Sequence, residues 1–257
     1  MTAPACPVTL RGGRALVTGA SSGIGAATAR ALANEGVSVA LAGRDSTALA
    51  SVAADAGGPA FAGDLTEPGY PARLAADASA ALGGLDIVVS NAGAGWAGPF
   101  SEMDPAGIDG LIDLNLRAPA HLLHAALPDL VAKGRGHVVL VGSIAGLVGV
   151  PNEAVYSATK AGLAGLAEAL RAELTGTGVK VSVVSPGVVD TAFFSRRNRP
   201  YDRTRPAPIP AAEVADAIVD CLRFGRPEVI VPSWLAVPAR IRGMAPRAYR
   251  ALAQRLA

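Results

Sequence analysis

The sequence predicts an α/β fold in which helices cover both faces of a parallel sheet, the doubly wound arrangement. Short runs rich in β-branched residues alternate with longer segments rich in Ala and Leu. The short runs are almost continuously apolar, which is typical of strands buried on both faces of a parallel sheet. Because connections between parallel strands are right-handed, this alternation builds a doubly wound sheet.

The expected elements follow one another regularly along the chain. Strands are expected at residues 15–18, 37–42, 59–63, 85–90, 137–143, 180–185 and 228–232. Helices are expected to end near 34 and 82, to begin near 104, and to span 45–56, 152–174 and 211–224. The sequence has no repeat period and no long linker, so we expect residues 1–257 to form a single domain.

The composition excludes several other classes of protein. Hydrophobic residues make up 51% of the 257 and charged residues 17%, which suits a sizeable core and excludes a disordered chain. Cys6 and Cys221 cannot build a disulfide framework, and His121 and His124 have no evident third partner, so no metal site is predicted. The chain shows neither a bilayer-spanning run nor a secretory signal, and we expect a cytoplasmic protein.

Charge is distributed unevenly along the chain. Residues 1–190 hold 11 Lys and Arg against 16 Asp and Glu, a net −5, whereas residues 191–257 hold 12 Arg against 5 acidic residues, a net +7. The basic quarter is consistent with an anionic substrate, with an anionic membrane surface or with a solvated arginine face. Nucleic-acid binding is not predicted, because no recognised binding motif accompanies the arginines.

A glycine-rich turn directly follows the first expected strand. Gly19, Gly23 and Gly25 have the spacing G-x-x-x-G-x-G and open the next helix. Glycines let the backbone turn sharply and approach a phosphate, and the helix N-terminus offers unpaired N–H groups and a positive dipole end. No Lys-Ser/Thr follows, which excludes a P-loop. The turn therefore predicts a dinucleotide-binding site.

Further motifs follow the turn in order. They are Asp64 in GDLT, Asn91-Ala92-Gly93, Asn115 in DLNL, Ser143, Tyr156 and Lys160 in YSATK, and Pro186-Gly187 with Thr191. Together with the turn they resemble the short-chain dehydrogenase/reductase family in its compact single-domain form, over residues 10–232. The resemblance implies a Rossmann fold with a seven-stranded parallel sheet, a homo-oligomer (tetramer or dimer), and binding of NAD(H) or NADP(H).

The resemblance also assigns residues to parts of the cofactor. The pyrophosphate would lie along the turn, the adenine beside Asp64 and Leu65, and the ribose near residues 91–93. Thr191 would hydrogen-bond the nicotinamide carboxamide. The complete set implied is Gly19, Ser21, Ser22, Gly23, Ile24, Gly25, Arg44, Asp64, Leu65, Asn91, Ala92, Gly93, Tyr156, Lys160, Pro186, Gly187, Val189 and Thr191.

Four residues are the candidates for catalysis. Tyr156 and Lys160 are four apart on an expected helix and share one face. An ammonium beside a phenol is expected to lower the phenol pKa from its ordinary value of about 10, toward the range useful for general acid–base catalysis. By resemblance, Ser143 would hydrogen-bond the substrate oxygen, Lys160 would also bind the nicotinamide ribose, and Asn115 would hold a water that relays protons to Lys160. The implied reaction is hydride transfer between nicotinamide and a ketone or secondary alcohol.

The end of the second strand favours NADP(H) over NAD(H). Gly43 stands where NAD-preferring relatives carry Asp, and Arg44 stands where NADP-preferring relatives carry a basic residue. A guanidinium pairs well with a phosphate. Two residues weigh against this preference. Ser22 stands where some NADP-preferring relatives carry a basic residue, and Asp45 partly offsets the charge of Arg44.

The end of the chain bears on the substrate. Residues 192–211 form an expected substrate loop, with Phe193, Phe194 and Trp96 as candidates for an apolar wall. Its arginines either attract an anionic substrate or carrier, or remain solvated. Residues 233–257 form a basic extension that covers the core or a neighbouring subunit, or docks at a membrane.

Two other functions remain open at this stage. One is an NAD(P)-binding regulator or scaffold without turnover, and the other is a membrane-peripheral dehydrogenase acting on a lipid-like or steroid-like substrate.

Overall fold

The computed structural model describes residues 10–201, 206–247 and 249–251. Cys6, Arg203, Arg205 and part of the basic extension lie outside these residues. The strands are β1 Arg14–Thr18, β2 Ser38–Gly43, β3 Ala60–Ala62, β4 Ile87–Ser90, β5 Gly136–Val141, β6 Val179–Pro186, β7 Val189–Asp190, β8 Ile209–Pro210 and β9 Glu228–Val231. The helices are α1 Gly23–Asn34, α2 Ser46–Ala56, α3 Tyr70–Leu82, α4 Pro105–Ile112, α5 Ala118–Ala132, α6 Ile144–Val148, α7 Ala154–Glu173, α8 Phe193–Arg196, α9 Ala211–Phe224 and α10 Ala236–Met244.

Seven strands form one parallel sheet in the order β3-β2-β1-β4-β5-β6-β9, which confirms the predicted doubly wound fold. These strands agree with the predicted bounds to within two residues at each end. The order reverses between β1 and β4, and such a switch point leaves a crevice at the carboxyl ends of the strands. The site is therefore expected at the loops that follow β1, β4, β5 and β6.

Buried side chains form an apolar layer on each face of the sheet. Successive strand residues point to opposite faces, so Val17 joins the layer under α1, α2 and α9, and Leu16 joins the layer under α3, α5 and α7. Both side chains are fully buried. This two-sided burial is the physical reason why the strands are continuously apolar in sequence.

Short elements appear where the sequence predicted irregular chain. Within residues 192–211, Phe193–Arg196 is helical and β8 pairs in parallel with β7. In the basic extension, Pro238 lies in the first turn of α10, where its missing N–H removes no intrahelical hydrogen bond. Among the described helices, none combines the length and the apolar character needed to cross a membrane.

Candidate active site

A cleft of about 1220 Å³ lies at the carboxyl ends of the strands. It brings together most of the residues that the sequence assigned to a site. Those that line it are Gly19, Ser21, Ser22, Gly23, Ile24, Arg44, Leu65, Asn91, Ala92, Gly93, Ser143, Tyr156, Lys160, Pro186, Gly187, Val189, Thr191, Phe193 and Phe194. Gly25, Asp64, Asn115 and Trp96 are not part of this lining.

The glycine turn after β1 requires residues without side chains. Gly19 and Gly23 have φ of +65° and +55°, in the left-handed region that favours glycine. A Cβ at Gly25 would lie 2.2 Å from the carbonyl oxygen of Gly19, and one at Gly23 would lie 3.1 Å from Thr191 Cγ2. The turn therefore packs against itself and against Thr191, while α1 begins at Gly23 with its N–H groups near the cleft.

Thr18, which the sequence analysis missed, joins this turn to the loop after β4. Its hydroxyl oxygen accepts hydrogen bonds from the backbone N–H groups of Asn91 at 3.0 Å and Ala92 at 3.1 Å. The Asn91 side chain donates back to the carbonyl of Thr18 at 2.9 Å. A fully buried Thr at a strand end, directly before a glycine turn, was the available signal for this positioning role.

The end of β2 presents an exposed arginine to the cleft. The Arg44 side chain is 68% exposed, and its Nη1 lies 3.8 Å from Asp64 Oδ2. Hydrogen bonds from the backbone N–H and hydroxyl of Thr66 lower the pKa of Asp64, and the charge of Arg44 contributes in the same direction. Asp45 accepts a hydrogen bond from the N–H of Ala48 as the N-cap of α2.

The side chains of Ser143, Tyr156 and Lys160 meet in the wall of the cleft. Tyr156 and Lys160 are buried on α7, with Lys160 Nζ 5.8 Å from the centre of the Tyr156 ring. Lys160 donates to the backbone carbonyl of Val141, at the end of β5, at 2.9 Å. Ser143 follows β5, caps α6 by accepting from Ala145 N–H at 3.1 Å, and lies near enough to the phenol to act on its pKa. Strand β5 thus fixes both partners of the tyrosine.

Burial dominates the acid–base properties of this pair. It raises the pKa of Tyr156 to about 12, against the effect of the hydrogen bond from Ser143. It lowers the pKa of Lys160 to about 8. The sequence predicted that Lys160 would lower the pKa of Tyr156. The structure shows a raised pKa instead, because desolvation disfavours the charged forms of both side chains.

Asn115 lies completely buried behind this wall, in a π-helical turn between α4 and α5. Its amide nitrogen donates to Thr159 Oγ1 at 3.3 Å, and that hydroxyl donates to the carbonyl of Tyr156 at 2.8 Å. A Cβ at Gly93 would lie 3.1 Å from Asn115 Oδ1 and 3.5 Å from Lys160 Nζ. The π turn, a feature common at functional sites, thus brings Asn115 close to α7.

Aromatic rings border the cleft beside Tyr156. The ring of Phe193 lies 5.5 Å from that of Tyr156, Phe194 lies 5.2 Å from Phe193, and Tyr201 lies 5.4 Å from Phe194. Phe193 and Phe194 both line the cleft.

Trp96 does not share that placement. It packs against a small apolar cluster that contains Met103 and Tyr156, and a Cβ at Gly98 would lie 2.8 Å from its ring. The chain therefore folds closely over this side chain, which lies beside the residues of the cleft without lining it.

No three His, Cys, Asp or Glu side chains within the described ranges are grouped so that they could hold a metal ion. His137 is buried and shares a hydrogen bond of 2.7 Å with Ser182. The Ser182 hydroxyl donates to the carbonyl of Arg226, so it accepts from Nε2–H of the imidazole. These contacts give His137 a structural role in the sheet.

Comparisons with known proteins agree with this geometry. A family model described as short chain dehydrogenase matches residues 14–202. An uncharacterized oxidoreductase of Myxococcus xanthus (strain DK1622) is 38% identical over 251 residues, which cover 94% of this chain and 96% of the relative.

Two solved structures are also similar to this chain. A metagenomic short-chain oxidoreductase in complex with NADP is 37% identical, with a TM-score of 0.75, over 87% of this chain and 98% of that one. A short-chain dehydrogenase/reductase of Burkholderia phymatum in complex with NAD is 25% identical, with a TM-score of 0.84, over 92% and 94%. Fold and relatives thus define an oxidoreductase. The chain belongs to the short-chain dehydrogenase/reductase family, as the motifs indicated.

Proposed function

We propose that the protein is an NADP(H)-dependent carbonyl reductase, reversible as an alcohol dehydrogenase, with Tyr156 as general acid and base. The observation that carries this proposal is a single cleft that runs from the glycine turn to Ser143, Tyr156 and Lys160. Its volume of about 1220 Å³ exceeds the roughly 300–1,000 Å³ of a pocket for one drug-sized ligand. A dinucleotide and a small substrate therefore fit together.

The residues of the turn suit a nicotinamide dinucleotide. Gly19, Gly23 and the start of α1 form a backbone cradle in which side chains are sterically excluded, as a bound pyrophosphate requires. We assign Leu65 and Asp64 to the adenine, residues 91–93 to the ribose and Thr191 to the carboxamide. The related structures in complex with NADP and NAD support a nicotinamide dinucleotide as the ligand of this cleft.

When bound, the nicotinamide supplies hydride to the carbonyl carbon, or accepts it in the reverse direction. Tyr156 gives its phenolic proton to the carbonyl oxygen during reduction and takes it back during oxidation. Ser143 donates a hydrogen bond to the same oxygen, where negative charge develops. Lys160, protonated, stabilises the phenolate and binds the ribose, and Asn115 holds the water through which a proton reaches Lys160.

The preference for NADP(H) rests on Arg44. Its guanidinium is exposed at the cleft, and its only ion pair among the described residues, to Asp64, is long at 3.8 Å. A 2′-phosphate would offer a partner with up to two negative charges and three acceptor oxygens, two of which a guanidinium can engage at once. Asp45 is held in its N-cap hydrogen bond to Ala48.

Tyr156→Phe tests the catalytic assignment. The variant keeps the ring and the contact with Phe193 but removes the proton, so we expect carbonyl reduction to fall by about 10²-fold or more. NADPH affinity, measured by fluorescence titration, serves as the internal control and should stay close to that of the wild type. Equal turnover in the variant would exclude Tyr156 as proton donor.

Two alternatives have distinct outcomes. A regulator or scaffold would bind NADPH without reducing any carbonyl. A membrane-peripheral enzyme would sediment with anionic vesicles through Trp234, Val237 and Met244, which are exposed near the arginines of α10. The cytoplasmic location and the homo-oligomer also stand as proposals, and light scattering on the purified protein measures the latter.

A further inference from the structure

A buried ion pair joins the start of the catalytic helix to the substrate loop. Arg197 Nη1 bonds Glu153 Oε1, and the two side chains are 7% and 16% exposed. Glu153 directly precedes α7, about one helical turn before Tyr156. The sequence left the arginines of this loop as either substrate-attracting or solvated, and Arg197 is not solvated.

The guanidinium of Arg197 is held from several sides. Its Nε donates to the carbonyl of Arg199 at 2.8 Å, and its Cζ lies 4.6 Å from the centre of the Phe194 ring. Charge-assisted hydrogen bonds and stacking on a ring both favour a single orientation of this group.

The neighbours of Arg197 attach the same segment to residues 97–102, in the chain that follows β4. Asn198 Nδ2 donates to the carbonyl of Ala97 at 3.3 Å. Arg199 pairs with Glu102 at 3.7 Å, but these two side chains are 58% and 61% exposed. We call residues 193–201 the strap. Its two ion pairs differ in burial, and only buried pairs are expensive to break by removing one partner.

The strap carries the rings that border the reaction centre. Phe193 contacts the ring of Tyr156, and Phe194 contacts both Phe193 and the guanidinium of Arg197. We propose that Glu153 and Arg197 are positioning residues that hold the strap over Tyr156 and thereby set the shape of the substrate end of the cleft. The expected effects on substrate affinity and on the pH profile rest on the proposed carbonyl reduction, whereas the proteolysis test does not.

Pairing also balances charge beside the phenol. The Glu153 carboxylate acts to raise the pKa of Tyr156 and the Arg197 guanidinium acts to lower it. Lys160 lies across the ring on the same helix. On the elements packed near α7, Asp104 and Asp109 are exposed and Asp113 pairs with Arg117 at 3.0 Å.

The structural test is native-state proteolysis with trypsin, which cleaves after arginine. Glu153→Gln breaks the buried pair and retains every arginine of the strap. Glu102→Gln is the matched control, because it breaks the exposed pair of the same strap by the same chemical change. We expect cleavage after Arg196 and Arg197, located by mass spectrometry, to accelerate about tenfold or more in Glu153→Gln only. Equal cleavage rates in both variants and the wild type would overturn the proposal, whether or not the protein turns over a carbonyl.

The functional test uses ketones that the wild type reduces. In Glu153→Gln and Arg197→Gln we expect KM to rise about tenfold or more, with a smaller change in kcat. The midpoint of the kcat–pH profile should fall in the first variant and rise in the second. A merely structural pair would not shift the two midpoints in opposite directions, and parallel shifts would overturn the proposal.

A third variant keeps the proposal testable if a single variant fails to fold because its remaining charge is unpaired. Combining Glu153→Gln with Arg197→Gln leaves neither charge uncompensated, so we expect this double variant to fold. It should show a pH midpoint near that of the wild type together with the raised KM. An unchanged KM and unchanged tryptic cleavage in the folded double variant would contradict the positioning role.

Discussion

Asn115 and Ala94 are joined by two hydrogen bonds of 2.9 Å that run in opposite directions. The N–H of Ala94 donates to Asn115 Oδ1, and Asn115 Nδ2 donates to the carbonyl of Ala94. The amide thus replaces the backbone partner that the loop after β4 lacks as it leaves the sheet. Through this clip the π-helical turn fixes the loop that contains residues 91–93, which we assign to the cofactor.

Asn115→Leu should therefore destabilise the fold before any question of catalysis arises. The variant leaves the partly buried N–H and carbonyl of Ala94 without their Asn115 partner, and we expect a loss of about 2–3 kcal/mol in the free energy of unfolding. Urea denaturation measures it. Asn34→Ala, at an exposed position ending α1, should change stability by less than about 0.5 kcal/mol. Similar stabilities for both variants would contradict the role of the clip.

Ser143→Ala should affect stability and rate separately. Loss of the cap bond to Ala145 N–H should cost about 1 kcal/mol of stability. Loss of the hydrogen bond to the substrate oxygen should slow carbonyl reduction by about 10²-fold. Asp104→Ala removes the N-cap of α4 and should cost stability alone. A rate unchanged in Ser143→Ala would leave this serine with only its capping role.

Arg44→Gln should reduce discrimination between the cofactors. The dissociation constant for NADPH should rise about tenfold or more while that for NADH stays nearly constant, because only the 2′-phosphate loses a charged partner. Parallel titrations measure both. Arg30→Gln, which removes a surface arginine paired with Asp55, is the control and should alter neither constant. An equal change in both affinities would separate Arg44 from the 2′-phosphate.

His137 should make stability fall on mild acidification. Burial lowers its pKa to about 4, below the ordinary value of 6.5. Between these values the unfolded chain binds a proton that the folded chain does not, so stability decreases as pH falls from 6.5 toward 4, by about 3 kcal/mol in total. Over this interval, the free energy of unfolding should depend less steeply on pH in His137→Gln than in the wild type.

His121→Gln, an exposed histidine on α5, provides the comparison. It should retain the pH dependence of the wild type. If the free energy of unfolding of His137→Gln depended on pH as steeply as that of the wild type, another group would control the loss of stability at low pH.

The sheet and most of the site followed from local sequence. Strands buried on both faces need continuous apolar runs, and the loops after parallel strands meet at one edge. The glycine turn, residues 91–93 and Ser143 could therefore be expected to converge, and they line one cleft.

Other features depend on contacts that no local pattern encodes. Arg197 pairs with Glu153, 44 positions away, so sequence alone left its role open. Trp96 packs against an apolar cluster that contains Tyr156, and the close approach of Gly98 to its ring is a contact that the sequence does not encode locally. The raised pKa of Tyr156 reflects how deeply the helix is buried, whereas the four-residue spacing to Lys160 indicates only which face the two side chains share.

Deuterium transfer tests directly whether the protein reduces a carbonyl with hydride from NADPH. The protein is incubated with NADPH that carries deuterium at both positions of nicotinamide C4 and with a panel of ketones, and the alcohols are analysed by mass spectrometry. We expect the wild type to place one deuterium on the carbinol carbon of at least one product. Tyr156→Phe should form this labelled alcohol about 10²-fold more slowly. Tight binding of NADPH without deuterium in any alcohol would contradict it and would favour a binding role without turnover.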